Sequence, residues 1–146
     1  MLSVEDRHEI EDLYGRLNWA IDTGDADEWL DAFTADGVFS ANDQVVSGHE
    51  ALRKWIRARL EFRMTESTTN GQHWVTNIDA EGDDTEARVR CYFMRTVHAR
   101  DTGEVHVHAT GWFEDQLRKI NGRWRFQRHA VAKQMPWHFV GPATDR

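Results

Sequence analysis

A chain of 146 residues that is 40% hydrophobic, with seven Trp and seven Phe, holds ample apolar mass for one domain with a single core, which excludes a disordered protein. The formal net charge of −7 argues against nucleic acid as a partner, since phosphates call for a basic footprint. No basic amphipathic helix or long apolar run suggests a membrane, and the start at Met1-Leu2-Ser3-Val4-Glu5-Asp6 lacks the marks of a signal peptide.

Ser3 with Asp6 predicts a helix N-cap, and Ile10, Leu13, Tyr14, Leu17 and Ile21 then recur at helical spacing. Thr23-Gly24-Asp25 breaks that helix. Asp25 with Glu28 caps a second, shorter one whose buried face is read as Trp29, Leu30 and Phe33. Asp36-Gly37 reads as a turn before a short strand at Val38-Phe39, which Asn42-Asp43 turns back through Val45 and Val46. A third helix is expected from about Gly48 to Met64, with Leu52, Trp55, Ile56 and Leu60 on one side.

The period then changes to two, and strands are read near 72–80, 85–100, 104–118 and 123–134. Glu81-Gly82-Asp83-Asp84, Asp101-Thr102-Gly103 and Asn121-Gly122 separate them, the last being a strong hairpin signal. Pro136 and Pro142 mark an irregular tail from about residue 135. Helices followed by an antiparallel meander make a single α+β domain over 1–146. The twist of long hairpins curls the sheet, so the three helices are expected to cover its concave face and leave a cone-shaped pocket.

Several side chains carry chemistry. Asp22 ends the first helix, an unfavourable place for an anion beside the negative end of the helix dipole, so it calls for a partner or a task. His73 enters the first long strand, where alternation puts it on one face with Val75 and Asn77. His98 ends the next strand, whose mixed faces suggest a bulge and leave its direction open. His106 and His108 share a strand face and, with Glu114, raise a metal site; their spacing fits such a site poorly, and surface positions are the stronger reading. The strand Arg123-Trp124-Arg125-Phe126-Gln127-Arg128 has one apolar and one cationic side. Cys91, the only cysteine, sits mid-strand and reads as core; with no internal disulfide to form, a reducing cytoplasm is the expected compartment. No phosphate loop, nucleophile elbow or CxxC motif is present, so neither dinucleotide chemistry nor serine hydrolysis has support.

Ala20-Ile21-Asp22 with Asp25, Trp29 and Phe33, then Phe39, Gly48 and Leu52, together with the hairpin from Arg118 to Phe126, resembles the SnoaL-like branch of the nuclear transport factor 2-like (cystatin-like) superfamily. Within it, the chain is similar to the scytalone dehydratase group. The resemblance implies that Asp22 and His73 form a catalytic dyad and that His98 matches the second histidine of the dehydratase. Where the dehydratase has a tyrosine before its aspartate this chain has Ile21, and the dehydratase's serine and asparagine align with Ala109 and Gly111; these departures argue against scytalone as substrate.

The expected activity is a cofactor-independent lyase or isomerase that takes a carbon-bound proton from an apolar cyclic or aromatic substrate. Asp22, His73 and His98 are the expected catalytic residues, with Tyr14, Asn18, Trp55 and Phe39 contacting the substrate. No metal or cofactor is expected, and a homo-oligomer, dimer or trimer, is. The alternative is a non-catalytic ligand-binding or assembly subunit of the same fold, like the small subunit of ring-hydroxylating dioxygenases; a metal enzyme built on His106 and His108 is a third reading.

Overall fold

A computed structural model describes residues 1–63 and 71–133. The helices are α1 (Val4–Thr23), α2 (Ala26–Asp31) and α3 (His49–Arg63); the strands are β1 (Phe33–Ala41), β2 (Gln44–Ser47), β3 (Gln72–Gly82), β4 (Glu86–His98), β5 (Val105–Ile120) and β6 (Arg123–Lys133). Met64, Gln134 and the tail with Pro136 and Pro142 lie outside the described residues.

Local chemistry explains most boundaries. Ser3 and Asp6 form a reciprocal capping box, with the Asp6 amide donating to Ser3 Oγ at 3.0 Å. Gly24 closes α1 in the left-handed conformation (φ 87°), its N–H donating to the Ala20 carbonyl at 3.0 Å. Asp25 then caps α2 by accepting from the Glu28 amide at 3.0 Å. Asn121 and Gly122, with φ of 52° and 77°, make the tight β5–β6 turn.

The six strands form one curved, open sheet in the order β2-β1-β6-β5-β4-β3. Its pairs are antiparallel except β1 with β6, which run parallel, so the sheet is mixed and not the purely antiparallel meander expected. Helices α2 and α3 flank β1 and β2 in the chain, and β1 enters beside the last strand to complete the sheet. That pairing also corrects the second helix. Phe33 opens β1 opposite Phe126, the Phe126 amide donates to the Ala32 carbonyl at 2.8 Å, and α2 stops at Asp31. Asp36 and Gly37 lie inside β1 at a register shift, not in a free turn. A side chain at Gly37 would bring a Cβ within 2.9 Å of Phe33 Cβ.

Burial alternates along β4: Ala87, Val89, Cys91 and Phe93 face the helices, while Arg88, Arg90 and Tyr92 face solvent. The α1 stripe Ile10, Leu13, Tyr14 and Leu17 packs into the same core as Phe113, Leu117 and Phe126. Trp29, Phe39 and Trp55 gather at the other end, with Phe39 and Trp55 centroids 4.4 Å apart.

Two bulges re-aim side chains. In β3 the register shifts between Thr76 and Asp79, where Asn77 has φ 57°. His73 and Val75 therefore share the inner row with Ile78 and Ala80, and Asn77 does not join them. In β5 the shift opposite Arg95 and Thr96 leaves His108 as the extra residue.

Candidate active site

Asp22 lies in the last turn of α1 and His73 is the second residue of β3. In register, His73 faces Arg95 on the inner side of the sheet. The side chains of Asp22 and His73 meet: Asp22 Oδ1 lies 2.5 Å from His73 Nδ1, and the His73 main-chain N–H donates to Asp22 Oδ2 at 2.8 Å. Both side chains are 15% exposed, so bulk water screens this contact far less than a surface pair. With a carboxylate against Nδ1, that nitrogen carries the proton, and Nε2 keeps the lone pair of a base.

The pair lines a cleft of about 380 Å³ between α1 and the sheet edge at β3. Its apolar wall is Val75 and Ile78, the indole of Trp19, 73% exposed, stands at its side, and Trp74 borders it with its ring turned to the outer face. Asn18, Gln72 and Glu11 add polar groups. The pair thus stands in an open cleft at the edge of the sheet and not in the cone-shaped pocket expected beneath the helices, where aromatic side chains fill the space. Larger hollows of about 630 and 720 Å³ lie over charged strand residues such as Arg88, Arg90 and Glu114, and along the outer side of α1 and α2; neither includes His73.

The other expected site residues fall into three groups. Tyr14 and Asn18 line the cleft, but the Tyr14 hydroxyl donates to Asp115 Oδ2, and Asn18 Nδ2 donates to the Tyr14 carbonyl at 2.8 Å. Burial, reinforced by the Asp115 charge, raises the Tyr14 phenol well above its ordinary value. Phe39 and Trp55 do not line the cleft; α3 and β1 pack them against Trp29, and Trp55 Nε1 donates to Gln44 Oε1 at 3.4 Å. His98 is likewise absent from it. Trp74 Nε1 donates to Thr96 Oγ1 at 3.1 Å, which marks the outer face of β4, and alternation puts His98 on that same side, opposite to His73.

His106 and His108 are exposed, and Glu114 accepts from Trp112 Nε1 at 2.9 Å. Among the described residues no group of three or more His, Cys, Asp and Glu side chains is arranged to hold a metal. Cys91 is 3% exposed, and burial pushes its thiol up to about 12, which makes it core and a poor nucleophile.

Sequence reasoning passed over a second constellation. Asp115, wholly buried, accepts from Tyr14 and from the Ala130 amide at 2.9 Å, and its Oδ1 lies 2.9 Å from His129 Nδ1. The His129 ring sits among Phe33, Phe39, Phe113 and Phe126. A signal existed in the alternation of β5, where Asp115 occupies an inward row between Phe113 and Leu117. Trp19 was passed over as well, since it lies off the apolar stripe of α1, three residues before Asp22.

Comparison with known proteins follows the fold. A search of curated proteins finds no match. A structure of a protein of unknown function from Mycobacterium tuberculosis is 23% identical, with a TM-score of 0.81 over 97% of this chain and 84% of that one. A cystatin-like protein of unknown function from Nostoc punctiforme is 27% identical, with a TM-score of 0.78 over 92% and 96% of the two chains. A candidate scytalone dehydratase from Novosphingobium aromaticivorans is 20% identical, with a TM-score of 0.76 over 90% and 86%. The SnoaL-like domain profile matches residues 2–130, and the chain belongs to that family.

Proposed function

We propose that this protein is a cofactor-independent lyase or isomerase in which His73 is the base and Asp22 its orienting carboxylate. The observation that carries the reading is the double contact of Asp22 with His73 at the wall of an apolar cleft. One oxygen sets the tautomer and orients the ring so that Nε2 is the atom that takes the proton; the other ties the same carboxylate to the strand.

The substrate proposed is a flat cyclic ketone with a hydroxyl β to the carbonyl. His73 Nε2 takes the α-proton, and its C–H electron pair becomes the new C=C bond. The β C–O bond breaks, and the leaving hydroxyl receives the proton from the imidazolium, so the net change is loss of water. His98, on the outer face, has no part in this scheme. The exposed indole of Trp19 suits a planar ring. Glu11 in the cleft and the net charge of −7 favour a neutral substrate over an anionic one.

The test is dehydration of a tetralone carrying a hydroxyl β to its ketone, which forms a fluorescent naphthol. Wild-type protein is expected to accelerate it and folded His73→Ala to lose that activity; equal rates for the two proteins exclude His73 as the base.

A further inference from the structure

Asp22 and His73 meet across two elements that share no ladder of main-chain hydrogen bonds, so something else must hold the last turn of α1 against the start of β3. Two buried arginines stand there. We infer that Arg63 and Arg95 are positioning residues for the Asp22–His73 pair, one for the carboxylate half and one for the imidazole half; the inference rests on the reading of that pair as a base and its orienter.

Arg63 is the last residue of α3 and is 2% exposed. Its Nη1 donates to the carbonyl of Ile21, the residue before Asp22. The last turn of α1 has no basic residue of its own, so its unpaired carbonyls and negative dipole end would otherwise lack a cation. Arg63 supplies one from another helix. A guanidinium buried to this degree cannot leave its partners cheaply, which ties the end of α3 to the turn that carries Asp22.

Arg95 stands on the strand side. It is 6% exposed and lies opposite His73 across β3 and β4. Its guanidinium is pressed against Gly71: a Cβ there would sit 2.3 Å from Arg95 Nε. A larger residue there would have to push that guanidinium aside. The chain leaving Gly71 reaches, two residues on, the His73 N–H that Asp22 Oδ2 accepts. A planar guanidinium with donors fixed in a fork suits both places; an ammonium, a point charge on a flexible stem, suits them less.

The pair can be read without substrate. A hydrogen bond of 2.5 Å at Nδ1 should give a proton resonance far downfield of ordinary imidazole N–H signals, assignable in histidine-labelled protein. In Arg63→Gln and Arg95→Gln this resonance is expected to move upfield or broaden away while the core amide signals stay dispersed, and the lysine variants should fall between. Leu52→Ala, a buried control on α3, should lower Tm and leave the resonance in place. On the hydroxytetralone, kcat of the glutamine variants should fall ten-fold or more, on the order of what a small misplacement costs, with KM changed less than two-fold.

A wild-type resonance in the folded glutamine variants overturns the inference; if those variants do not fold, a wild-type resonance in the lysine variants does so. A resonance that responds as expected in a protein that dehydrates no ketone keeps the positioning role and removes the lyase reading. An unresponsive resonance with turnover lost only in His73→Ala does the reverse.

Discussion

One side chain, Asp22, holds His73 at two points, the ring Nδ1 at 2.5 Å and the main-chain N–H at 2.8 Å. An amide in its place can donate to Nδ1 and thereby select the wrong tautomer. Asp22→Asn is therefore expected to lower kcat by about 10²–10⁴-fold with the fold retained. Steady-state rates on the hydroxytetralone, beside circular dichroism spectra, check it. A folded variant with wild-type kcat would remove Asp22 from the chemistry.

Acid stability should centre on Asp6. Lys119 at 2.6 Å, the Ser3 hydroxyl at 2.8 Å and Trp124 Nε1 at 2.9 Å hold this buried carboxyl far below the usual carboxylate range. A carboxyl depressed in the folded state takes its proton first in the unfolded chain. Its contribution is thus complete above roughly pH 4, the unfolded value, and drains as pH falls towards the folded one. Asp6→Asn should cost about 1–3 kcal/mol at neutral pH. Urea melts of both proteins at neutral pH and in acid should show the gap narrowing as pH falls; a constant gap contradicts the assignment.

Tyr14 separates core from site. Its hydroxyl satisfies Asp115, so Tyr14→Phe leaves one buried carboxylate oxygen without that donor and should cost about 1–3 kcal/mol. KM should not change. A raised KM with unchanged Tm would return the phenol to the cleft.

The outer face of β4 and β5 exposes Tyr92, Val105 and Val107 at 49%, 57% and 61%. Apolar surface of this kind is costly to leave in water, and a homo-oligomer covering it is expected. Light scattering should give a mass above that of one chain, and Tyr92→Glu with Val107→Glu should reduce it; a wild-type monomer refutes this.

What the sequence made legible is what short-range chemistry controls. The Ser3–Asp6 box, the Gly24 stop and the Asn121-Gly122 turn each depend on residues within a few positions, so pattern alone found them. Asp22 and His73 were legible through their residue types and their resemblance to a known family. Contacts distant in sequence were not. Phe33 sits on the apolar face of a short helix by spacing, but pairing with Phe126 draws it into a strand. Tyr14 meets Asp115 across 101 positions, and no local pattern announces that. The bulge at Asn77 is a single-residue insertion that reverses every later side chain of β3, and a strict alternation misses it. Alternation along β4 likewise sends His98 outward despite its favourable place in the chain.

The most direct measurement is exchange of the α-hydrogen of a plain tetralone for deuterium in heavy water, followed by proton NMR, because it isolates proton removal from any leaving group. Wild-type protein should speed this exchange, Asp22→Asn should slow it markedly, and His73→Ala should return it to the buffer rate. Exchange by His73→Ala at the wild-type rate, or none by wild type on any flat cyclic ketone that binds the cleft, would contradict His73 as a carbon-acid base.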